Sequence, residues 1–149
     1  EDVETYIKLY SAIEPNMITF HLEAIKDKEK IYEMIKLVKD NNCKVGIAIK
    51  PNTEVKEIYE FLPYINTVLV MTVEPGKGGQ ALIPETLRKI RILKEYLNQH
   101  NLDTYIEADG GINLDTIDEV KESGVDIAVV GNGILKTENY RTTVSKLKN

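Results

Sequence analysis

The residues of this sequence that are best suited to chemistry lie in three glycine-rich segments, each of which follows an apolar run. The segments are Glu74-Pro75-Gly76-Lys77-Gly78-Gly79-Gln80, Asp109-Gly110-Gly111-Ile112-Asn113 and Gly131-Asn132-Gly133. Because glycine has no Cβ, its backbone N–H group can approach a ligand closely, and a helix N-terminus adds a field that favours an anion. One such segment is also typical of an ordinary tight turn. Three in succession favour a phosphate-binding site.

Asp109 is the candidate for acid–base or metal chemistry. It follows the apolar run that ends at Ala108, and parallel α/β proteins place their ligands where strands end. We therefore predict that its carboxylate faces a cleft, although an aspartate at this point could also cap a turn. Met71 ends another strand on the same side, where a methionine can also simply fill the core. His21 and Glu23 are expected only to support such a site.

The elements that must position these residues follow from two alternating periodicities. Short apolar runs predict strands over 16–22, 44–49, 67–73, 104–108 and 126–130, buried on both faces. Helical spacing predicts amphipathic helices within 3–13, 31–38, 55–62, 87–97, 117–120 and 140–147, with Asn113 as an N-cap and Gly124 just after a helix. Strands that alternate with helices predict a parallel sheet and one α/β domain over residues 1–149.

Composition excludes several classes of function. The net charge is −5 and the basic residues are scattered, so we expect no nucleic-acid partner. No apolar run approaches the roughly 18–20 residues that span a bilayer, and we expect a cytoplasmic protein with no membrane partner. The single cysteine, Cys43, is expected to be a structural thiol.

Two strings are specific enough to indicate a family. The string Met71-Thr72-Val73-Glu74-Pro75-Gly76, continued by Gly78-Gly79-Gln80, resembles the ribulose-phosphate 3-epimerase family, and so does Asp109-Gly110-Gly111-Ile112. Supporting matches lie in 18–24, 44–51 and 129–131. The resemblance covers essentially the whole chain in the right order. It implies a parallel (β/α)8 barrel of the ribulose-phosphate-binding type, of which this sequence supplies about five βα units.

The resemblance also implies an activity. Family members are isomerases of the pentose phosphate pathway that interconvert D-ribulose 5-phosphate and D-xylulose 5-phosphate by proton transfer between two carboxylates and C3. A divalent ion, Zn, Fe or Mn, assists them. Asp109 matches a residue that is both a metal ligand and one acid–base group, and Met71 matches a residue that lines the substrate site. The remaining substrate- and phosphate-binding positions that this resemblance implies are Gly76, Gly78, Gly79, Gly110, Gly111, Gly131 and Asn132.

The sequence also lacks or changes parts of the family pattern. The chain opens on a helix with no strand before it, and neither His21 nor His100 matches a metal-binding histidine of the family. We therefore expect a fragment that is inactive and poorly stable alone, cut from a full-length enzyme that forms a homo-oligomer. Lys77 replaces an aromatic residue that is usual in the family. Together with Ala108 and Asn132, it leaves the identity of the sugar phosphate open.

Three other functions remain open at this point. A sister epimerase that acts on allulose 6-phosphate would keep the same carboxylate and glycine segments. A decarboxylase or synthase of the same broad superfamily would share the barrel, although the string from Met71 to Gly76 argues against it. A half-barrel that binds phosphate without catalysis, paired with another chain, is the third.

Overall fold

Five parallel strands form one sheet in the computed structural model, which describes residues 2–149. The spatial order β1-β2-β3-β4-β5 follows the chain, so the carboxyl ends of all five strands lie at one edge. The strands are β1 Met17–His21, β2 Lys44–Ile49, β3 Thr67–Met71, β4 Tyr105–Asp109 and β5 Ile127–Val129. Each lies within, or one residue beyond, a predicted apolar run. The α/β class and the incomplete parallel barrel are confirmed.

Within residues 2–149, six α-helices connect or flank the strands. They are α1 Val3–Ser11, α2 Lys28–Asp40, α3 Glu85–Gln99, α4 Ile117–Glu122, α5 Asn132–Leu135 and α6 Tyr140–Lys148. Side chains cap three of their N-termini: Asp2 accepts from Thr5 N–H, Asp27 from Glu29 N–H and Asn139 from Thr142 N–H. Gly124 follows the C-cap of α4 with φ +94°, as predicted for a residue at that position. Within residues 2–149 no helix is long and apolar enough to cross a membrane.

Two local predictions were wrong. Residues 55–62 form no α-helix but two 3-10 segments, Val55–Glu57 and Tyr59–Tyr64. Val55, Ile58 and Phe61 are buried at a spacing of three, which suits a 3-10 helix with three residues per turn. Asn113 is not the cap of α4, because that position belongs to Thr116.

One face of the sheet carries the helices and the core, and the other face is largely open. In β4, Ile106 and Ala108 are fully buried on the helix side, whereas Tyr105 is 57% exposed on the opposite side. Ile127 in β5 is 42% exposed on that same open face. The prediction that the strands are buried on both faces holds for β2, from Val45 to Ile49, and fails for β4 and β5.

Candidate active site

A cavity of about 860 Å³ lies at the carboxyl ends of β3, β4 and β5, where the three glycine-rich segments converge. Its volume is within the range of small-molecule sites. All nine residues that the sequence singled out line it: Met71, Gly76, Gly78, Gly79, Asp109, Gly110, Gly111, Gly131 and Asn132. Segments that are far apart in the chain thus form one wall because parallel strands deliver their ends to one edge.

Thr72 joins the loop after β3 to the loop after β4. It is fully buried, its N–H donates to the Asp109 carbonyl at 2.8 Å, and its hydroxyl donates to the Gly110 carbonyl at 2.6 Å. Gln80 then holds the glycine loop itself, since its side-chain amide donates to the Glu74 carbonyl at 2.7 Å and to the Lys77 carbonyl at 2.6 Å. The loop after β3 is therefore fixed at its start and across its tip.

Two glycines of the cavity are required by the fold itself. Gly110 has φ +130°, and a Cβ there would lie 2.9 Å from the Val73 backbone nitrogen. Gly111 has φ +67°, and a Cβ there would lie 2.7 Å from Leu82 Cα. Both backbone conformation and packing therefore exclude a side chain directly after Asp109.

Gly78 and Gly131 differ from these two glycines. Neither has a positive φ, and a Cβ added at either position would meet no atom of residues 2–149 within 4 Å. Among the hydrogen bonds of that same part of the chain, none is donated by the N–H group of either residue. Packing within the described chain therefore does not require glycine at either position. Both N–H groups remain available on the cavity wall.

Asp109 ends β4 at the cavity and is half-buried. Within residues 2–149 its carboxylate forms no ion pair and accepts no hydrogen bond, so it is free to interact with a ligand. Glu107 lies two residues earlier on the same face of β4. Burial, reinforced by the negative charge of Asp109, raises the pKa of the Glu107 carboxyl above its usual range. The sequence interpretation overlooked Glu107, although the two-residue period of a strand puts it beside Asp109.

His21 and Glu23 do not line the cavity and instead fasten the loop after β2. Glu23 accepts hydrogen bonds from Lys50 N–H at 2.8 Å and from the Thr53 hydroxyl, and its second oxygen lies 3.3 Å from His21 Nδ1. Burial opposes ionisation of Glu23, but these hydrogen bonds outweigh it and lower the pKa of its carboxyl. This cluster holds the loop after β2, and among residues 2–149 no hydrogen bond or ion pair joins the His21 or Glu23 side chain to the glycine loops.

Two lysines also line the cavity, and only one of them was expected to be near it. Lys77 is exposed in the loop after β3, and Lys136 is exposed directly after α5. Sequence inspection missed Lys136 because it belongs to no motif. Its proximity to Gly131 and Asn132 along the chain was the available signal.

The residues present do not by themselves form a site for a divalent metal ion. No cluster of three or more His, Cys, Asp or Glu side chains that could hold such an ion occurs within residues 2–149. A divalent ion in a protein usually takes three or more protein ligands, and Asp109 offers one carboxylate.

Comparison with known proteins shows the family to which this chain belongs. The sequence pattern of the ribulose-phosphate 3 epimerase family matches residues 1–135. The ribulose-phosphate 3-epimerase of Buchnera aphidicola subsp. Baizongia pistaciae is 37% identical over 98% of this chain and 63% of its own length. The enzyme of Mycobacterium leprae is 37% identical over 88% of this chain and 57% of its own length. The enzyme of Escherichia coli K12 is 30% identical over 98% of this chain and 64% of its own length. The chain thus spans less than two thirds of the length of these relatives.

Solved structures agree on the fold. A 3-hexulose-6-phosphate synthase superimposes with a TM-score of 0.72 at 16% identity, over 99% of this chain and 68% of its own. KGPDC from Streptococcus mutans gives a TM-score of 0.71 at 16% identity, over 99% and 66%. At such identities the likeness concerns the fold alone. The match of the epimerase pattern over most of the chain is more specific, and the chain belongs to the ribulose-phosphate 3-epimerase family.

Proposed function

We propose that this chain carries the phosphate site and one acid–base group of an enzyme that interconverts D-ribulose 5-phosphate and D-xylulose 5-phosphate. The observation that carries the proposal is the cavity that joins a strand-end carboxylate, Asp109, to three glycine loops. The curated relatives are named for ribulose phosphate, which favours a five-carbon substrate over the six-carbon allulose 6-phosphate.

The phosphate group would lie against Gly78 and Gly131. Their N–H groups donate to no acceptor among residues 2–149, and a Cβ at either position would occupy space that a ligand could use. A phosphate bound there would accept hydrogen bonds from backbone donors that are already held in place. The synthase that shares the fold is itself named for a sugar phosphate, which is consistent with a ligand of this class in this type of barrel.

Asp109 would exchange a proton with C3 of the sugar. The C3–H bond is next to a carbonyl group, so a carboxylate that removes this proton leaves an enediolate, and return of a proton to the opposite face inverts the carbon. Asp109 suits this role because its carboxylate forms no hydrogen bond or ion pair within residues 2–149. Met71, buried beside it at the end of β3 and paired with it in register, would pack against the carbon chain.

Family membership implies a divalent metal ion, which would stabilise the enediolate, and does not specify which metal it is. Asp109 would contribute one ligand, and the described residues supply no complete set. Homo-oligomer formation and a cytoplasmic location stay predictions.

The test is solvent exchange at C3. D-ribulose 5-phosphate is incubated in D2O with the full-length enzyme that carries this chain, and deuterium at C3 is followed by NMR. We expect Asp109→Asn to abolish deuterium incorporation while sugar-phosphate binding is retained. Asp103→Asn is the matched control, since Asp103 is exposed just before β4, at the opposite end of the sheet. Exchange that proceeds at the same rate in Asp109→Asn would remove Asp109 from the reaction.

A further inference from the structure

We propose that Lys77 and Lys136 form a cationic arm of the phosphate subsite, in which two ammonium groups add charge to the backbone N–H donors. This inference rests on the proposed function and extends it by naming side chains that select for a charged ligand. A site built from N–H groups already favours an anion through their partial positive charges. Two lysines add full positive charges, so the affinity depends more strongly on the ligand's negative charge.

The first support is position. Lys77 lies between Gly76 and Gly78, and both lysines line the same cavity as the open glycines. The two loops that carry them touch each other, since a Cβ at Gly79 would lie 3.1 Å from the Asn132 side-chain nitrogen. The lysines therefore approach one space from adjoining loops.

The second support is that neither lysine forms an ion pair within the described residues. Six ion pairs occur among residues 2–149, and neither Lys77 nor Lys136 takes part in any of them. Glu74, which also lines the cavity, interacts through its carboxylate with the Asn52 side-chain amide at 3.3 Å rather than with a lysine. An anionic ligand would thus meet two cations that need not leave a protein partner.

The third support is that a hydrogen bond holds the backbone of Lys77 in place. Its carbonyl accepts the 2.6 Å hydrogen bond from Gln80, which also holds Glu74 at the other side of the loop. The backbone of Lys77 is therefore already ordered, and binding need only order its side chain. An exposed lysine on an unsupported loop would lose more conformational freedom on binding.

We expect each lysine to raise the affinity for phosphate only modestly, because both side chains are exposed. Charge pairs near a surface are weak and are screened by salt. Loss of one lysine should weaken phosphate binding about two- to fivefold, as for an exposed pair of up to about 1 kcal/mol. Loss of both should weaken it more and should flatten the dependence of affinity on salt concentration.

The experiment is a titration of the full chain with inorganic phosphate, followed by the NMR amide signals of Gly78 and Gly131 at low and high ionic strength. Wild type is compared with Lys77→Met, Lys136→Met and the double variant. Lys44→Met is the control, because it removes the same charge from an exposed position at the amino end of β2. We expect weaker binding in the first three variants, a reduced salt dependence in the double variant, and wild-type behaviour in the control.

Two outcomes would overturn the proposal, and they are distinguishable. If the double variant binds phosphate as tightly as wild type at both ionic strengths, the lysines take no part while the glycine site stands. If wild type itself shows no shift at Gly78 or Gly131, the proposed phosphate site fails and the cationic arm fails with it. Amide spectra without phosphate report whether each variant is folded, so a loss of structure is not mistaken for a loss of binding.

Discussion

Replacing glycines one at a time separates those that the fold requires from those that a ligand requires. Gly111→Ala puts a side chain at φ +67° and within 2.7 Å of Leu82 Cα. A left-handed conformation disfavours alanine by about 1–2 kcal/mol, and overpacking adds about 1–3 kcal/mol. We therefore expect the free energy of unfolding to fall by about 2–5 kcal/mol.

Gly78→Ala makes the same chemical change where nothing lies within 4 Å of the new methyl group. The free energy of unfolding should change by no more than about 0.5 kcal/mol, as for other surface substitutions. The methyl group, however, would project into the space assigned to phosphate. Alanine keeps the backbone N–H, but its methyl group would displace the phosphate from that donor. Loss of this hydrogen bond to a charged group, worth about 1.5–3 kcal/mol, should weaken phosphate binding roughly ten- to hundredfold.

Both quantities are measurable on the same samples. Urea unfolding followed by circular dichroism gives the free energy of unfolding, and phosphate titration by NMR gives the affinity. The two variants should show opposite patterns, with stability lost in Gly111→Ala and affinity lost in Gly78→Ala. Equal destabilisation by both variants, or unchanged affinity in Gly78→Ala, would refute the division of the glycines into two groups.

Two further predictions concern the groups that hold the strand ends. Thr72→Val leaves the Gly110 carbonyl without its buried donor and should lower the free energy of unfolding by about 1–2 kcal/mol. Thr72→Ser keeps the hydroxyl and should lower the free energy of unfolding less. Equal losses in the two variants would contradict this prediction. The pKa of the Glu23 carboxyl is lower in the folded chain than its usual value of 4.5. The ionised carboxylate therefore stabilises the fold at pH values above 4.5, and this stabilisation is lost as the pH falls through the folded-state pKa. Urea unfolding at several acidic pH values should therefore show a shallower loss of stability in Glu23→Gln than in wild type, and parallel curves would contradict it.

Much of the fold was predictable because each strand is a short apolar run bounded by turn residues. The segment 55–62 was not, since Val55, Ile58 and Leu62 also fit the spacing of an α-helix and only the burial of Phe61 shows the three-residue period. Exposure of one face of β4 was also unpredictable. Apolar side chains such as Tyr105 and Ile127 do not reveal in sequence which elements cover them.

The sequence predicted which nine residues line the cavity together, but not which of these glycines the fold itself requires. The nine residues stood out because glycines and one aspartate follow strands. Gly111 differs from Gly78 in its positive φ and in the nearby Leu82 backbone. Neither difference can be read from the sequence, where both residues are simply glycine. Lys136 and Glu107 were missed for a similar reason, since the position of Lys136 at the cavity and the raised pKa of the Glu107 carboxyl both depend on neighbours that the fold supplies.

The two groups of glycines together explain how the reaction would be positioned. Gly110 and Gly111 directly follow Asp109 and adopt conformations that only glycine accepts readily, so the chain turns sharply at the end of β4. Thr72 fixes this turn to the loop after β3, where Gly78 faces the cavity. A phosphate held at Gly78 would therefore lie at a set distance from the Asp109 carboxylate. Because proton transfer depends steeply on such distances, Gly110 and Gly111 would contribute to catalysis by fixing the position of Asp109 relative to the phosphate.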